Sequence, residues 1–426
     1  MHIVLGAILA AAVPTQAQGL APVAEARAVS RTLTWDDCVN LALSRNPDLG
    51  SALRLSQASR AAFYQSFNGL MPTATLSNSY VSGSAAAGKP AYIASAAAGL
   101  TLFDLGKVSN IKSASAALDA ALASVKQASA ALRYNLRVAY ANVLFAEANV
   151  IVAQRILELR HSNAEMVSLR YDSGHEYKGN MMNVSAQRLQ AEAALAQSQR
   201  SLRTARRNFA RQLGLDDFEE VTATGTLTTE PPPPAPADSL ALISARPDVQ
   251  VQESVVRSAK AAGLSAQSPL WPSLSANYAR TRGASATEFP AAPYGWTAGA
   301  TLSYPLFGGG PTNAYYGVQA SRRNIEKSEE DLRVTRVAAV ADLETTWSAY
   351  ASAFDQVRVQ QAQLESSRQR NSEADVRYAT GLLTFDNWSL IVSQRVSDEQ
   401  GAVQSRRDAV IAQAAWEKAL GKFIGE

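Results

Sequence analysis

The sequence predicts a mainly α-helical fold with a β-barrel portion: two tandem repeats of long antiparallel coiled-coil helices, with four transmembrane β-strands per chain. Three observations predict it. The chain repeats itself internally, each copy contains a very long helical stretch, and each places two strand-like segments ahead of that stretch. Composition agrees. Aromatic residues make up only 7% of the 426 residues, while alanine and serine are abundant. Such a balance suits long helices packed through small side chains better than a large globular core.

The repeat is read directly from paired residues. Asn46-Pro47-Asp48 returns as Arg246-Pro247-Asp248, and Leu70-Met71-Pro72 as Leu270-Trp271-Pro272. Thr101-Leu102 and Phe103 find counterparts in Thr301-Leu302 and Phe307. Arg170-Tyr171-Asp172-Ser173-Gly174 matches Arg377-Tyr378-Ala379-Thr380-Gly381, and Leu213-Gly214 matches Leu420-Gly421. Between the copies lies Pro231-Pro232-Pro233-Pro234, a stiff extended linker that does not favour helix.

The elements follow in order. Residues 1–17 read as a secretory signal, with an apolar run from Ile3 to Val13 and small-residue cleavage after Ala17. Cys38 is the single cysteine, so no internal disulfide is available. The acidic residues Asp36 and Asp37 beside it argue against lipid attachment, and it is expected as a small buried residue of an amphipathic helix. Each copy then opens a helix at Pro47 or Pro247, since proline suits the first helical position, and stops it before Pro72 or Pro272.

Strands are expected at about 73–83 and 92–103, and at about 273–283 and 294–305. In the second copy Leu274, Ala276 and Tyr278 alternate with Ser275 and Asn277, and Trp296, Ala298, Ala300 and Leu302 alternate with Thr297, Gly299, Thr301 and Ser303. One apolar face and one small polar face, at this length, is the pattern of a barrel strand in a bilayer. No stretch after the signal is expected to cross the membrane as a helix.

A glycine corner, Gly106 or Gly308-Gly309-Gly310, leads into the long helix. Leu118, Leu122, Val125, Leu132, Leu136, Ala139, Val143, Ala146, Val150, Ala153 and Leu157 recur at alternating spacings of three and four, with Ser129 the weak position. At 1.5 Å per residue, its ~66 residues reach roughly 100 Å. The chain turns at Gly174 and returns from about Lys178 to Leu213. This shorter helix and the opening helix, stacked end to end, nearly match the long one, so each copy is a two-helix-wide stave. Four strands cannot close a barrel, and an open sheet would leave unpaired edges in lipid. Several chains must share one tube; these considerations leave their number open.

Helix, strand hairpin, long helix, tip and return helix, all duplicated, resemble the TolC family of outer-membrane factors over essentially the whole mature chain. The residues that carry the likeness are Leu33-Thr34-Trp35, Asn46-Pro47, the proline-bounded strands, Phe307-Gly308-Gly309-Gly310 and the two Arg-Tyr-x-x-Gly tips. The resemblance implies a homotrimer with a twelve-stranded barrel in the outer membrane and a periplasmic α-helical barrel. It implies docking to a periplasmic adaptor and to an inner-membrane pump or ABC exporter, hence efflux or type I secretion. It divides the chain into the signal (1–17), an N-terminal segment of the equatorial region (18–46), a first repeat (47–214, tip 171–177), a proline-rich linker (215–239) and a second repeat (240–426, tip 378–384).

Candidate site residues follow from this placement. Arg170, Tyr171, Gly174, Arg377, Tyr378 and Gly381 form the tips expected to meet the adaptor, with glycine also serving as a helix cap. Asp375 and Asp386 are candidates for an acidic periplasmic gate, which would attract cations. Tyr80, Tyr92, Phe103, Trp271, Tyr278, Tyr294, Trp296, Tyr304 and Phe307 are expected as aromatic girdles at the lipid interfaces. Arg200, Arg203, Arg206, Arg207 and Arg211 read as a solvated face near a helix C-terminus. His161, His175, Met181 and Met182 make no metal-ligand spacing, and no metal or other cofactor is expected.

A formal charge of +3 is too small to argue for nucleic acid. No GxSxG, HExxH or P-loop occurs, so no enzyme is expected. The alternative function, a periplasmic coiled-coil scaffold without channel activity, explains the heptads but not the paired strands with aromatic rims.

Overall fold

The computed structural model describes residues 31–81, 91–215, 221–235, 239–285, 294–305 and 310–425. The signal at 1–17 and Phe307 lie outside these residues. Strand β1 (Arg31–Leu33) leads into α1 (Trp35–Arg45), α2 (Pro47–Ser66), the hairpin β2 (Thr73–Val81) and β3 (Ala91–Phe103), the long α3 (Leu105–Asp172) and the return helix α4 (Lys178–Leu213). After β4 (Val221–Ala223), the order recurs as α5 (Ser239–Ser244), α6 (Pro247–Gln267), β5 (Ser273–Ser285), β6 (Gly295–Ser303), α7 (Pro311–Ala379) and α8 (Phe385–Ala419). α3 and α7 have 68 and 69 residues, each roughly 100 Å long.

The helix boundaries are made by caps. Thr34 and Asp37 form a reciprocal capping box at α1, with Thr34 Oγ1 2.6 Å from Asp37 Oδ2. Asn46 performs two tasks. Its Oδ1 accepts from the N–H groups of Asp48 and Leu49 at the start of α2, while its Nδ2 donates to the Gln212 carbonyl at the end of α4, 2.9 Å away. α4 and α2 are thereby stacked end to end alongside α3. In the second copy Arg246 occupies the same junction, donating to the Ala419 carbonyl at 3.0 Å and to Asp248 and Asp342. Burial opposes its charge, and the two carboxylates more than restore it, raising its pKa.

Several details differ from the sequence expectation. α2 stops at Ser66 and is followed by a 3₁₀ turn, Phe67–Gly69, because Met71 precedes a proline and is biased out of the helical region. Gly106 is not the corner: it lies inside the first turn of α3, and the helix is started by Asp104, whose Oδ1 accepts from the N–H groups of Gly106 and Lys107. Gly310, at φ +91°, does make the corner in the second copy. The linker is not merely extended. Val221–Ala223 pairs in parallel with β1, Tyr140 donates its hydroxyl to the Thr224 carbonyl, and Tyr350 and Trp347 donate to the carbonyls of Glu230 and Pro233 at 2.7 and 2.9 Å. One buried tyrosine on each long helix thus straps the belt down.

The apolar seam of α3 is also broader than a single heptad line. Leu132, Leu136, Ala139, Val143, Ala146 and Ala153 are buried, but Leu122 is exposed, and Ala116, Ala121, Tyr140, Leu144, Val152 and Ile156 are buried instead. α3 packs against α4 and α2 on one side and α6 and α8 on the other, so two stripes must be apolar. For that reason a stretch of α3 is apolar enough by composition to cross a membrane, contrary to expectation, although half of it is buried against neighbouring helices. Cys38 is fully buried beside Ala42, Tyr140 and Phe209, and burial, assisted by the Asp37 charge, pushes its thiol up to about 12, leaving it unreactive.

The four-stranded sheet has the order β2-β3-β5-β6, antiparallel throughout. Register pairs Leu76 with Ala96, Ala96 with Arg280 and Arg280 with Trp296, and likewise Leu274 with Leu302 and Ala276 with Ala300. These share one face. Thr75, Ser77, Ser95, Asn277, Thr297 and Gly299 share the other, where Ser77 and Ser95 hydroxyls lie 2.6 Å apart.

Gly214 and Gly174 both adopt positive φ at helix ends, +74° and +78°. A methyl at Gly214 would sit 2.4 Å from the Arg45 carbonyl oxygen at the α4–α2 junction, whereas Gly174 faces open space. Gly174→Ala is therefore expected to cost only the left-handed strain, about 1–2 kcal/mol, and Gly214→Ala distinctly more, read as the larger drop in thermal unfolding midpoint by circular dichroism.

Candidate functional site

The two tips are built by the same cap. α3 ends with the His175 N–H bonded to the Arg170 carbonyl (2.8 Å) and the Gly174 N–H to Tyr171 (2.9 Å). α7 ends with Leu382 bonded to Arg377 (2.8 Å) and Gly381 to Tyr378 (3.0 Å). Both are Schellman motifs, with glycine in the left-handed conformation.

The side chains of the two copies do opposite things. In the first copy Arg170 is engaged: its Nη1 donates to the carbonyls of Tyr378 and Ala379 at 2.9 and 3.1 Å, and its guanidinium lies 4.7 Å from the Tyr378 ring centroid. It thereby caps the C-terminus of the other copy's helix, where a cation also complements the dipole. In the second copy Arg377 is exposed and Tyr378 is buried, while Tyr171 is only half-buried. Tyr378 stacks on Trp388 at 4.5 Å and 10°, with Phe385 edge-on. Its hydroxyl donates to Glu176 Oε2 at 2.5 Å. The repeats interlock at the tip rather than merely lying side by side.

Asp375 and Asp386 separate. Asp375 is committed to this core, accepting from Trp388 Nε1 and Asn371 Nδ2, both at 2.7 Å. Asp386 is exposed in the first turn of α8 and has no hydrogen-bond or ion-pair partner among the described residues. Glu176, Trp388, Phe385 and Asn371 were not singled out from the sequence. The signal available was Phe385-x-x-Trp388 at the start of the return helix, a large aromatic pair whose indole N–H requires a partner once buried. Near this end Leu169, Tyr177, Val376 and Leu382 are exposed, Tyr177 by 81% and Leu382 by 79%. His161 pairs with Glu165 on the exposed surface, 3.3 Å apart, away from His175.

The aromatic candidates fall at both ends of the sheet. Tyr80 and Tyr92 are register partners with rings 4.9 Å apart, at the end far from the helices, where Tyr294 and Trp296 also lie. Phe103, Trp271 and Tyr304 lie at the helical end. Tyr278, paired with Ala98 and Ala298, sits in the middle of the apolar face rather than at a rim. Farther down the stave, a groove of about 1070 Å³ between α3 and α4 is lined by Asn135, Asn142, Asn149, Arg200 and Arg211, and Arg206 pairs with Glu147 at 3.1 Å.

Residues 38–215 and 240–422 match the family described as outer membrane efflux protein. Both copies are covered, and the chain belongs to that family, whose place is the outer membrane. Solved structures share its fold. A membrane protein from Pseudomonas aeruginosa is 20% identical with a TM-score of 0.80, covering 96% of this chain and 97% of its own. The outer membrane protein VceC from Vibrio cholerae is 17% identical with a TM-score of 0.79, covering 91% and 96%. The open state of the MtrE outer membrane channel from Neisseria gonorrhoeae is 20% identical with a TM-score of 0.78, covering 90% and 88%. No curated protein matches by sequence.

The tip carboxylates respond oppositely to pH. Burial would raise the Glu176 pKa, but bonds from Tyr378, Asn180 and the Tyr177 N–H, with the Arg170 charge, bring it below the usual glutamate value. Its contribution is present above the unfolded-state pKa and is lost as pH falls through the lowered folded one. For Asp375 burial dominates, and the bonds from Trp388 and Asn371 only partly offset it, so its pKa is raised. The folded tip then binds the extra proton, and stability declines as pH rises from the ordinary aspartate value to the raised one. Amide hydrogen exchange at the tip is expected to show a stability maximum within the ordinary carboxylate range, with Glu176→Gln removing the loss on the acid side and Asp375→Asn the loss on the alkaline side.

Proposed function

We propose that this member of the outer membrane efflux protein family is a passive trimeric duct, energised by partners, that carries small molecules from the periplasm or cytoplasm to the exterior. One observation carries the reading. The four-stranded sheet has one apolar face, one face of Thr, Ser, Asn and Gly, and edges β2 and β6 with no outer strand partner among the described residues. In lipid such edges require pairing, and three chains give twelve strands, enough to leave a lumen. The two long staves of each chain continue one third of that wall into the periplasm. The small polar face lines a wet, weakly selective passage.

The tip is the regulated end. Exposed Leu169, Tyr177, Val376 and Leu382 support docking of an apolar, helical adaptor there. The Tyr378–Glu176–Arg170 contacts tie the two hairpins of one chain together and keep the tips at a fixed spacing. Of the two candidate gate acids, Asp386 is the one presented to solvent, whereas Asp375 is a positioning residue within the tip core.

The test is planar-bilayer conductance of the detergent-purified protein. The wild type is expected to give a small, cation-selective conductance. Asp386→Ala weakens its cation selectivity, and the Tyr378→Phe/Glu176→Gln pair, which removes a charged hydrogen bond worth about 1.5–3 kcal/mol, raises the conductance. A large wild-type conductance indifferent to all three changes discards the gate. Absence of conductance from assembled wild-type protein and from both sets of variants favours the scaffold reading.

A further inference from the structure

The strands β2, β3, β5 and β6 contain no Asp, Glu or Lys, and their only charged residues are Arg280 and Arg282. Both fall on the apolar face: Arg280 is the register partner of Ala96 and Trp296, and Arg282 of Ala94. On a lipid-facing surface a midplane arginine costs about 2–4 kcal/mol, falling towards zero near the interface. Two together therefore call for a reason.

Their position supplies it. β5 starts at the helical end, so at about 3.4 Å per residue Arg280 and Arg282 lie about 24 and 31 Å along it. With a strand tilt near 40°, that is roughly three quarters or more of the way across the apolar band. The Arg280 guanidinium turns farther outward, to the level of Arg282. Arg280 is directly opposite Trp296, yet its Cζ rests 4.2 Å from the ring centroid of Tyr294, two residues nearer the distal rim. Arg282 lies 4.8 Å from the same ring, and its Nη1 donates to the Tyr294 hydroxyl at 3.2 Å. This is the snorkelling geometry of a cation at a membrane boundary. Among the described residues no carboxylate forms an ion pair with Arg280. The pair and Tyr294 line one side of a cleft of about 360 Å³ on the sheet, whose floor is Leu76, Ala94 and Ala96 with Asn78 as its one polar side chain on this face.

We propose that Arg280, Arg282 and Tyr294 form a binding site for the phosphate headgroup of a lipid in the leaflet at the distal rim, one acyl chain lying in the cleft. The charge complementarity is specific: guanidinium forks match phosphate oxygens bidentately, and the stacked tyrosine holds both forks in place. The mostly apolar floor beneath suits a lipid tail and has no use for a soluble anion. The inference rests on the barrel reading above, since it needs this face turned to lipid.

Native mass spectrometry of the intact, detergent-solubilised protein tests it, using bis-phosphorylated lipid A, the same lipid dephosphorylated, and inorganic phosphate as probes. The wild type is expected to retain the phosphorylated lipid ten- to hundredfold better than the dephosphorylated one, the range that charged hydrogen bonds confer. Arg280→Gln/Arg282→Gln brings the two lipids level, and Arg280→Lys/Arg282→Lys, which keeps the charge but loses the fork, falls between. Equal retention of both lipids by the wild type overturns the proposal whether or not the variants fold, as does inorganic phosphate binding as tightly as the lipid. A wild type that conducts but ignores the lipid phosphate overturns this inference alone; one that neither assembles nor conducts overturns the barrel reading beneath it.

Discussion

A β-sheet exposed to hydrocarbon cannot leave backbone N–H and C=O groups without partners, and every other feature of this chain is arranged around that constraint. The sheet β2-β3-β5-β6 is an up-and-down meander, so its edge strands run in opposite directions. In the assembly proposed above, an edge β6 from one chain therefore meets an edge β2 from the next in the antiparallel sense. The duplication provides this geometry without further invention: each copy donates one hairpin, and β3 joins β5 to make a single curved section.

The helices extend the same section at the same width. Four strands hang from four columns of helix, two of which are continuous (α3 and α7) and two composite. The composite columns depend on junctions that keep a broken helix as stiff as an unbroken one. Asn46 and Arg246 achieve this with different chemistry, an amide shared between two helix ends and a guanidinium spanning a carbonyl and two carboxylates. Alanine dominates the columns because each long helix has neighbours on two sides, and small side chains allow close approach on both. The linker belt, pinned by Tyr140 and Tyr350, fixes the two staves to each other at mid-height.

Much of this was legible in the sequence, and the reason is local. Helix limits were marked by Pro47, Pro247, Gly214 and Gly421, residues whose backbone preferences act without tertiary help. Strand faces were legible because a two-residue period has only two answers. What escaped depends on which surfaces meet. The three-residue β1–β4 ladder is too short to carry a pattern, and Leu122 looked like a seam residue because the phase of the seam is set by α2 and α6 rather than by α3. At the tip, Arg170 and Arg377 are indistinguishable in sequence, as are Tyr171 and Tyr378. Only the packing of one hairpin against the other sends Arg170 onto the α7 carbonyls and Tyr378 under Trp388. Glu176 gave no signal at all, being one acid in a polar turn until Tyr378 is placed above it.

Closure of the sheet between chains is the claim on which the rest depends, and cysteine cross-linking measures it most directly. Within one chain β2 and β6 are separated by two strands, about 14 Å at 4.8 Å per step, beyond the roughly 7 Å that a disulfide spans. In a Cys38→Ser background, cysteine at Thr75, Ser77 or Ser79 would be combined in turn with cysteine at Thr297, Gly299 or Thr301 and oxidised in membranes. The account predicts that one register of pairs yields a covalent species of three chains on a non-reducing gel, lost on reduction. Single chains from every pair in properly inserted protein, or a ladder ending at two chains, would contradict it.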